Sequence, residues 1–180
     1  AEITEPPTPH RQPLARIVRV LGEGSSSSLA VDMAIESHGL PHEWPAGLDK
    51  ELKRIGSKVK PAQIEGRTDL RDVPLVTIDG EDARDFDDAV WCEPTRGGGY
   101  RLLVAIADVA SYVQPGTLLD RSAYERGTSV YFPQRVIPML PEVLSNGICS
   151  LKPDEERLCL VCEMRINKEG ETTKSLFYPA

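Results

Sequence analysis

The sequence predicts an α+β fold, with short helices in the first part of the chain and a mixed sheet in the second. The runs Leu29 to Ser37 and Leu48 to Ile55 have the apolar spacing of helices, and a glycine follows each of them closely. From Val73 onwards, apolar runs of strand length alternate with turn sequences. A chain of 180 residues, 40% of them hydrophobic, is long enough to fold around a core.

The strand predictions lie in the second part of the chain. PLVTI and DDAVWCE flank an acidic loop, and the glycine-rich TRGGGY predicts the turn of a hairpin that continues into YRLLVAIAD. Because YRLLVAIAD is apolar on both faces, we expect it to be a buried central strand. Another hairpin is predicted near the C-terminus from RLCLVCEMRI and TTKSLFYPA.

A short helix and a loop system lie between these hairpins. The helix runs around Leu119 to Arg126, and in TSVYFPQRVIPMLPEVLSNG three prolines confine the chain to turns, short strands and a helix around Pro141 to Leu144. At the N-terminus, ARIVRVLG predicts a strand. We therefore divide the sequence into residues 1–21, a helical connector at 22–72 and a β-rich region at 73–180.

Composition excludes several classes of protein. No apolar run is long enough to span a bilayer, and AEITEPPTPH lacks the order of a secretory signal, so we expect a cytoplasmic protein. The cysteines show no disulfide spacing, and Cys159 and Cys162 are expected on opposite faces of a strand, which argues against a zinc or redox site. A net charge of −7 is unusual for a nucleic-acid-binding protein.

Most of the negative charge lies in one segment, TIDGEDARDFDDAV. Asp79 to Asp88 contains six acidic residues and one arginine, so this segment carries −5 and the other 170 residues carry only −2. Such carboxylates repel one another unless they are solvated or bind a cation. Carboxylate oxygens suit Mg²⁺, and a pair of such ions can activate water for phosphodiester hydrolysis. The candidate metal ligands are Asp79, Asp85, Asp87 and Asp88.

The acidic segment has other interpretations. A calcium loop of the EF-hand type is excluded, because the positions that need glycine and glutamate hold Arg84 and Val90. A phosphatase of the haloacid-dehalogenase type would need D-x-D-x-T after the strand, where this chain has Asp79-Gly80-Glu81, and it remains an alternative. A solvated acidic loop without any ligand also remains open.

Four segments together resemble the catalytic domain of the ribonuclease II and ribonuclease R family, and its bacterial ribonuclease R branch most closely. They are DLRDVPLVTIDGEDARDFDDAV, LLVAIADVASYV, RGTSVYFPQRVIPMLPEVLSNGICSL and ERLCLVCEM. Residues 14–45 are similar to the stretch that joins the second cold-shock domain to the catalytic domain. The resemblance implies the tail of an oligonucleotide-binding (cold-shock) barrel in residues 1–21 and the first part of an RNB-type catalytic domain in residues 73–180.

The resemblance also implies an activity. The family members are processive, Mg²⁺-dependent exoribonucleases that hydrolyse RNA from the 3′ end and release nucleoside 5′-monophosphates, and we expect Mn²⁺ to substitute. The family's four metal-site aspartates correspond to Asp79, Asp85, Asp87 and Asp88. By this correspondence Asp79 and Asp88 are direct ligands, Asp87 is required for the chemistry, and Asp85 completes the side of the second metal.

Other residues acquire expected roles from the same resemblance. Tyr131 matches the family tyrosine that packs against the terminal base of the RNA, whereas the sequence alone favours a core tyrosine. Asp108 is expected to be structural or to support the site, and Arg84 to hold the acidic loop by ion pairing. Glu81 and Asp82 fall outside the functional set and are expected to be solvated.

The family's catalytic domain continues beyond Ala180, so the resemblance predicts that this chain is incomplete and inactive alone. The expected partners are RNA, bound through its 3′ end, and the missing C-terminal part of the same enzyme, with no membrane. The alternative is a noncatalytic RNA-binding module of the same fold. That alternative predicts the loss of some acidic ligands, whereas all four are present.

Overall fold

A computed structural model describes residues 1–22, 27–133 and 135–180, without the side chain of Ser27. The chain divides into two units, Ala1–Glu43 with Phe132–Arg135 and Trp44–Tyr131 with Val136–Ala180. Within the described ranges, no helix is both long and apolar enough to cross a membrane.

The helices and strands confirm the predicted α+β class. In chain order they are β1 (Glu2–Glu5), β2 (Leu14–Arg16), α1 (Ser27–Ser37), α2 (Leu48–Ile55), α3 (Pro61–Ile64), β3 (Asp88–Pro94), β4 (Tyr100–Ala107), α4 (Leu118–Arg126), β5 (Val130–Phe132), β6 (Arg135–Ile137), β7 (Cys159–Ile166) and β8 (Thr172–Pro179), with a 3₁₀ turn at Val109–Ser111 and a π-helical turn at Leu144–Ile148.

The first unit contains the β1–β2 hairpin and α1. β1 and β2 are antiparallel, and α1 agrees with the predicted helix. The strand predicted over ARIVRVLG is shorter than expected, because its pairing ends at Arg16. Ile17 and Val20 follow without a partner strand in the described residues, and both are exposed.

The second unit is built on a four-stranded sheet in the order β3-β4-β7-β8. All three pairings are antiparallel, so this sheet is antiparallel rather than mixed. β4 is a central strand, as its apolar sequence predicts. The turn between β3 and β4 closes through a 2.8 Å hydrogen bond from Thr95 N–H to the Gly99 carbonyl, and a Cβ atom at Gly99 would clash with the carbonyl oxygen of Ile166.

The prediction of a strand at PLVTI is wrong for most of the run. Val76 forms a single antiparallel bridge with Val90, and the rest of the run pairs with no strand in the described chain. Pro74 has no N–H to donate, and Ile78 is exposed. One bridge is enough to bring this run beside β3, but not to bury it.

The core lies on one face of the sheet. Leu103, Ala105 and Val161 are fully buried there, and a second cluster around Leu119 and Leu144 joins α4 to the π-helical turn. The opposite face of the sheet is apolar but open in the described chain. Its exposed side chains include Ile106, Leu160 and Phe177.

Candidate functional site

The acidic segment lies where the chain reverses beside the edge of the sheet. Val76 and Val90 exchange two backbone hydrogen bonds, of 2.9 and 2.8 Å. Asp79 lies three residues after Val76, and Asp87 lies three residues before Val90. Because the bridge is antiparallel, these two aspartates lie on opposite arms of the reversal, and each is three residues along the chain from the bridge.

Backbone hydrogen bonds hold the second arm of the segment. The Asp87 carbonyl accepts the N–H of Ala107 at 2.8 Å, and the Phe86 carbonyl accepts the N–H of Leu151 at 2.9 Å. The hydroxyl of Ser150 donates to the Arg84 carbonyl at 2.7 Å and accepts the N–H of Phe86 at 3.1 Å. The backbone around Asp85 and Asp87 is therefore anchored to β4 and to the chain after the π-helical turn.

Asp87 shows most clearly how the carboxylates affect one another. The surrounding protein removes part of the hydration of its carboxyl group, which raises its pKa, and the negative charges of Asp85, Asp88 and Asp79 raise it further. The ionised form of Asp87 is thus disfavoured by burial and by three neighbouring charges. A cation bound among these residues would relieve this repulsion.

The chemistry of this donor set fits a hard divalent cation. In the part of the chain that the structure describes, no three acidic, histidine or cysteine side chains form a ready-made metal cage. Mg²⁺ does not need such a cage, since proteins usually hold it with one or two carboxylates while substrate phosphate and water fill the other positions. The four aspartates therefore suit Mg²⁺ in kind, although they are not gathered around one point.

The other charged residues of the segment behave differently from one another. Glu81 and Asp82 are exposed, in keeping with solvated side chains. The expectation that Arg84 holds the loop by ion pairing is wrong, because its guanidinium makes no ion pair with the described residues. Arg84 contributes its backbone carbonyl to Ser150 instead. Hydrogen bonds to the backbone, not a salt bridge, hold this arm in place.

No hydrogen bond between described residues joins the side chain of Tyr131 or Asp108 to the four candidate aspartates. Tyr131 is on β5 and 69% exposed, so the alternative of a core tyrosine does not hold for this chain. No described hydrogen bond joins Tyr131 to the aspartates. Asp108 accepts hydrogen bonds from Arg67 and Ser111, and these contacts are compatible with a structural role.

Two residues near the segment were not found from the sequence. Burial raises the pKa of the Cys149 thiol to about 12, and the charge of Asp87 adds to the effect, so Cys149 stays protonated at neutral pH. Ser150 is fully buried and binds the acidic segment. In the sequence, Ser150 is distinguished only as a lone serine within the apolar stretch ICSL. This position does not show which residue the serine contacts.

Two family models match the chain. The RNB domain matches residues 67–180, and the cold shock domain matches residues 1–45. The four candidate aspartates, Ser150 and Tyr131 all lie within the RNB match.

Proteins of similar sequence and structure point to the same family as the RNB match. Ribonuclease R of Escherichia coli is 55% identical over 179 residues, which are 99% of this chain and 22% of that protein. RNase R of Mycoplasma genitalium, solved in complex with double-stranded RNA, has a TM-score of 0.84 and 32% identity over 90% of this chain and 29% of its own. Yeast Ssd1, described as a pseudonuclease, has a TM-score of 0.73 and 20% identity over 99% of this chain and 23% of its own, which shows the shared fold alone.

Proposed function

The chain belongs to the RNB-domain family, and on this premise we propose that it carries part of the active site of a 3′-to-5′ exoribonuclease that releases nucleoside 5′-monophosphates. The observation that carries the proposal is that the charges of Asp85, Asp88 and Asp79 all act on the carboxyl group of Asp87, inside the RNB match. Because the chain spans 22% of the length of E. coli ribonuclease R, we assign the activity to a full-length enzyme that contains residues 1–180.

The proposed cofactor is Mg²⁺, with Mn²⁺ able to replace it. When bound, such ions would supply a polarised water and stabilise the leaving oxygen. Asp79 and Asp88 are the proposed direct ligands, and Asp85 is proposed to lie beside a second metal ion. Their carboxylates contribute oxygen donors and the negative charge that draws a divalent cation to this end of β3.

Asp87 is the residue that we assign to the chemical step. Its carboxylate would accept a hydrogen bond from the attacking water and direct the water oxygen towards phosphorus. The water oxygen bonds to phosphorus and loses one proton to the surrounding solvent, the bond from phosphorus to the preceding 3′ oxygen breaks, and the 3′ oxygen takes up one proton from solvent. The products are a nucleoside 5′-monophosphate and an RNA that is one nucleotide shorter.

Tyr131 is the proposed contact for a base near the 3′ end of the RNA. An exposed ring face stacks on any base, and such stacking contributes about 1–3 kcal/mol per base without sequence preference. The 69% exposure of Tyr131 leaves its ring open to such a contact. The proposed RNA partner is thus a single strand that enters by its 3′ end.

One alternative function has an observation in its favour. Ssd1 is described as a pseudonuclease and has the same fold, so the fold can occur without activity. A noncatalytic RNA-binding module is therefore the second candidate. The retention of all four aspartates supports the nuclease, and the RNB match argues against a haloacid-dehalogenase-like phosphatase.

Several further predictions accompany the proposal. The rest of the same enzyme is the expected partner of this chain, residues 1–180 alone are expected to be inactive, and the enzyme is expected in the cytoplasm. We also propose the end of a cold-shock domain at residues 1–21, a connector at 22–72 and the first part of the catalytic domain at 73–180.

The deciding experiment compares Asp87→Asn with Asp82→Asn in the full-length enzyme. Cleavage of labelled single-stranded RNA is measured with and without Mg²⁺, and RNA binding is measured separately by fluorescence anisotropy. Asp87→Asn should bind RNA normally but cleave it orders of magnitude more slowly, because the shape is kept and the charge is lost. Asp82→Asn should behave as the wild type. Parallel loss of binding and cleavage in Asp87→Asn would indicate a folding role instead.

A further inference from the structure

We propose that Ser150 is the positioning residue that aims Asp85 and Asp87 into the metal site, an inference that rests on the proposed function. Ser150 is 0% exposed, and its hydroxyl makes two hydrogen bonds to the backbone of the acidic segment. It donates to the Arg84 carbonyl at 2.7 Å and accepts the Phe86 N–H at 3.1 Å. These two backbone groups lie on either side of Asp85.

The contacts of Ser150 are extended by its neighbours. Leu151 N–H donates to the Phe86 carbonyl at 2.9 Å, and Ala107 N–H donates to the Asp87 carbonyl at 2.8 Å. The backbone is therefore held at Arg84, Phe86 and Asp87 in succession. The backbone sets the direction of each Cα–Cβ bond. These hydrogen bonds therefore determine the direction in which the side chains of Asp85 and Asp87 leave the backbone.

Ser150 is itself held firmly. Its carbonyl accepts a 2.8 Å hydrogen bond from Nε of Arg157, a residue whose side chain is mostly buried. The π-helical turn just before it places Leu144 and Ile148 in the core. Ser150 is thus a fixed support, and movement of the acidic segment relative to it requires both of its hydroxyl hydrogen bonds to break.

The chemistry of the hydroxyl explains why serine stands here. A hydroxyl donates one hydrogen bond and accepts others, so it can serve a carbonyl and an N–H at the same time. Alanine would leave both backbone groups without this partner in a partly buried place, where an unsatisfied polar group is costly. By contrast, the first arm has one backbone hydrogen bond within Asp79 to Ala83 among the described residues, from Ala83 N–H to the Gly80 carbonyl at 3.0 Å.

The test uses Ser150→Ala, Ser150→Cys and the control Ser122→Ala in the full-length enzyme. Ser122 is also a buried serine, but it lies on α4. The measurements are the Mn²⁺ dissociation constant by titration calorimetry, the kcat and KM for single-stranded RNA, and the hydrogen exchange of the Phe86 amide. Ser150→Ala should weaken Mn²⁺ binding about tenfold, the effect of one lost buried hydrogen-bond partner.

The pattern of results separates positioning from general stability. Ser150→Ala should also lower kcat with little change in KM and speed exchange at Phe86, and Ser150→Cys, with weaker hydrogen bonds in a similar volume, should fall between it and the wild type. If Ser150→Ala does not fold, the cysteine variant carries the same comparison. Unchanged Mn²⁺ affinity and kcat in a folded variant, or an equal loss in Ser122→Ala, would overturn the inference.

A fourth variant shows whether the inference or its premise has failed. Asp88→Asn, which alters a proposed direct ligand, should weaken Mn²⁺ binding if the proposed metal site is correct. If it does and the Ser150 variants bind Mn²⁺ normally, only the positioning role is overturned. If Asp88→Asn binds Mn²⁺ as the wild type does, the metal site itself is wrong, and the role of Ser150 is overturned with it.

Discussion

Arg67 donates a 2.6 Å hydrogen bond from Nη2 to the carboxylate of Asp108, and the two side chains are only 15% and 18% exposed. Arg67 also donates to other acceptors from four parts of the chain. They are the hydroxyl of Ser111 and the carbonyls of Gln63, Cys159 and Ala180. This one guanidinium therefore connects the chain before the acidic segment to β7 and to the residue that follows β8.

Arg67→Met should destabilise the protein by about 3 kcal/mol, because it leaves the largely buried Asp108 carboxylate without its charged partner. Arg71→Met is the matched control. Arg71 pairs with Asp69 at 2.6 Å, but both side chains are exposed, so its loss should change stability far less than the loss of Arg67. Urea unfolding of the two variants makes the comparison, and equal losses would contradict the special role of Arg67.

The Glu163–Arg101 pair should make stability depend on pH in the acid range. The hydrogen bond from Arg101 lowers the pKa of Glu163 more than burial raises it. Since the folded pKa lies below the unfolded one, the pair stabilises the fold above the ordinary glutamate pKa, and this contribution is lost as pH falls through the folded value. Glu163→Gln should therefore flatten the loss of stability below about pH 4.3. Urea unfolding at a series of pH values compares Glu163→Gln with the wild type, and an equal slope in both would contradict the role of the pair.

Tyr131→Ala should change the length of the final RNA product while leaving stability almost unchanged, since the residue is 69% exposed. The last nucleotides would lose a stacking partner worth about 1–3 kcal/mol. Tyr124→Ala is the matched control, because Tyr124 on α4 is 90% exposed. Gel analysis of end products and thermal unfolding test both variants. A normal end product from Tyr131→Ala would exclude the stacking role.

Mn²⁺ should raise the melting temperature of residues 1–180, because it relieves the repulsion that raises the pKa of Asp87. A rise of about 2–4 °C is expected for each kcal/mol of stabilisation in a domain of this size. NaCl of equal ionic strength and the Asp87→Asn variant serve as controls. An equal rise with NaCl would mean that general screening, and not a bound ion, is responsible.

Gly99→Ala should destabilise the β3–β4 hairpin by about 1–3 kcal/mol, because the new methyl group meets the carbonyl oxygen of Ile166. Gly97 lies in the same turn, and a Cβ atom there would have no neighbour within 4 Å among the described residues. Gly97→Ala is accordingly expected to be close to neutral. Thermal unfolding of both variants shows whether stability depends on the close approach of Gly99 to Ile166 or only on the number of glycines in the turn.

The parts of the fold that the sequence predicted well are those with local signals. TRGGGY marks a turn by its glycines, and YRLLVAIAD shows by its apolar residues on both sides that it is a central strand. PLVTI carries the same apolar signal, but a strand needs a partner along its length, and Val76 has one only at Val90. Composition cannot show how far such pairing extends.

The candidate site was predictable to a similar degree. The six acidic residues are visible in the sequence, and their spacing together with the family resemblance named four of them as candidate ligands. The support from Ser150 was not predictable, because its hydroxyl reaches a carbonyl 66 residues away and no residue type marks such a contact. The prediction for Arg84 was wrong for a related reason. Its charge suggested an ion pair, whereas its backbone carbonyl makes the contact, with the Ser150 hydroxyl.

The pairing of β3 with β4 also connects the turn at Gly99 to the acidic segment at the other end of the hairpin. Asp88 lies opposite Ile106 at one end of β3, and Pro94 lies opposite Tyr100 at the other, about 20 Å away. A slip of one residue in this register would move every side chain of β3 to the other face of the sheet. The Asp88 carboxylate would then point towards the core side. An insertion or deletion in TRGGG should therefore inactivate the site without altering any of its residues.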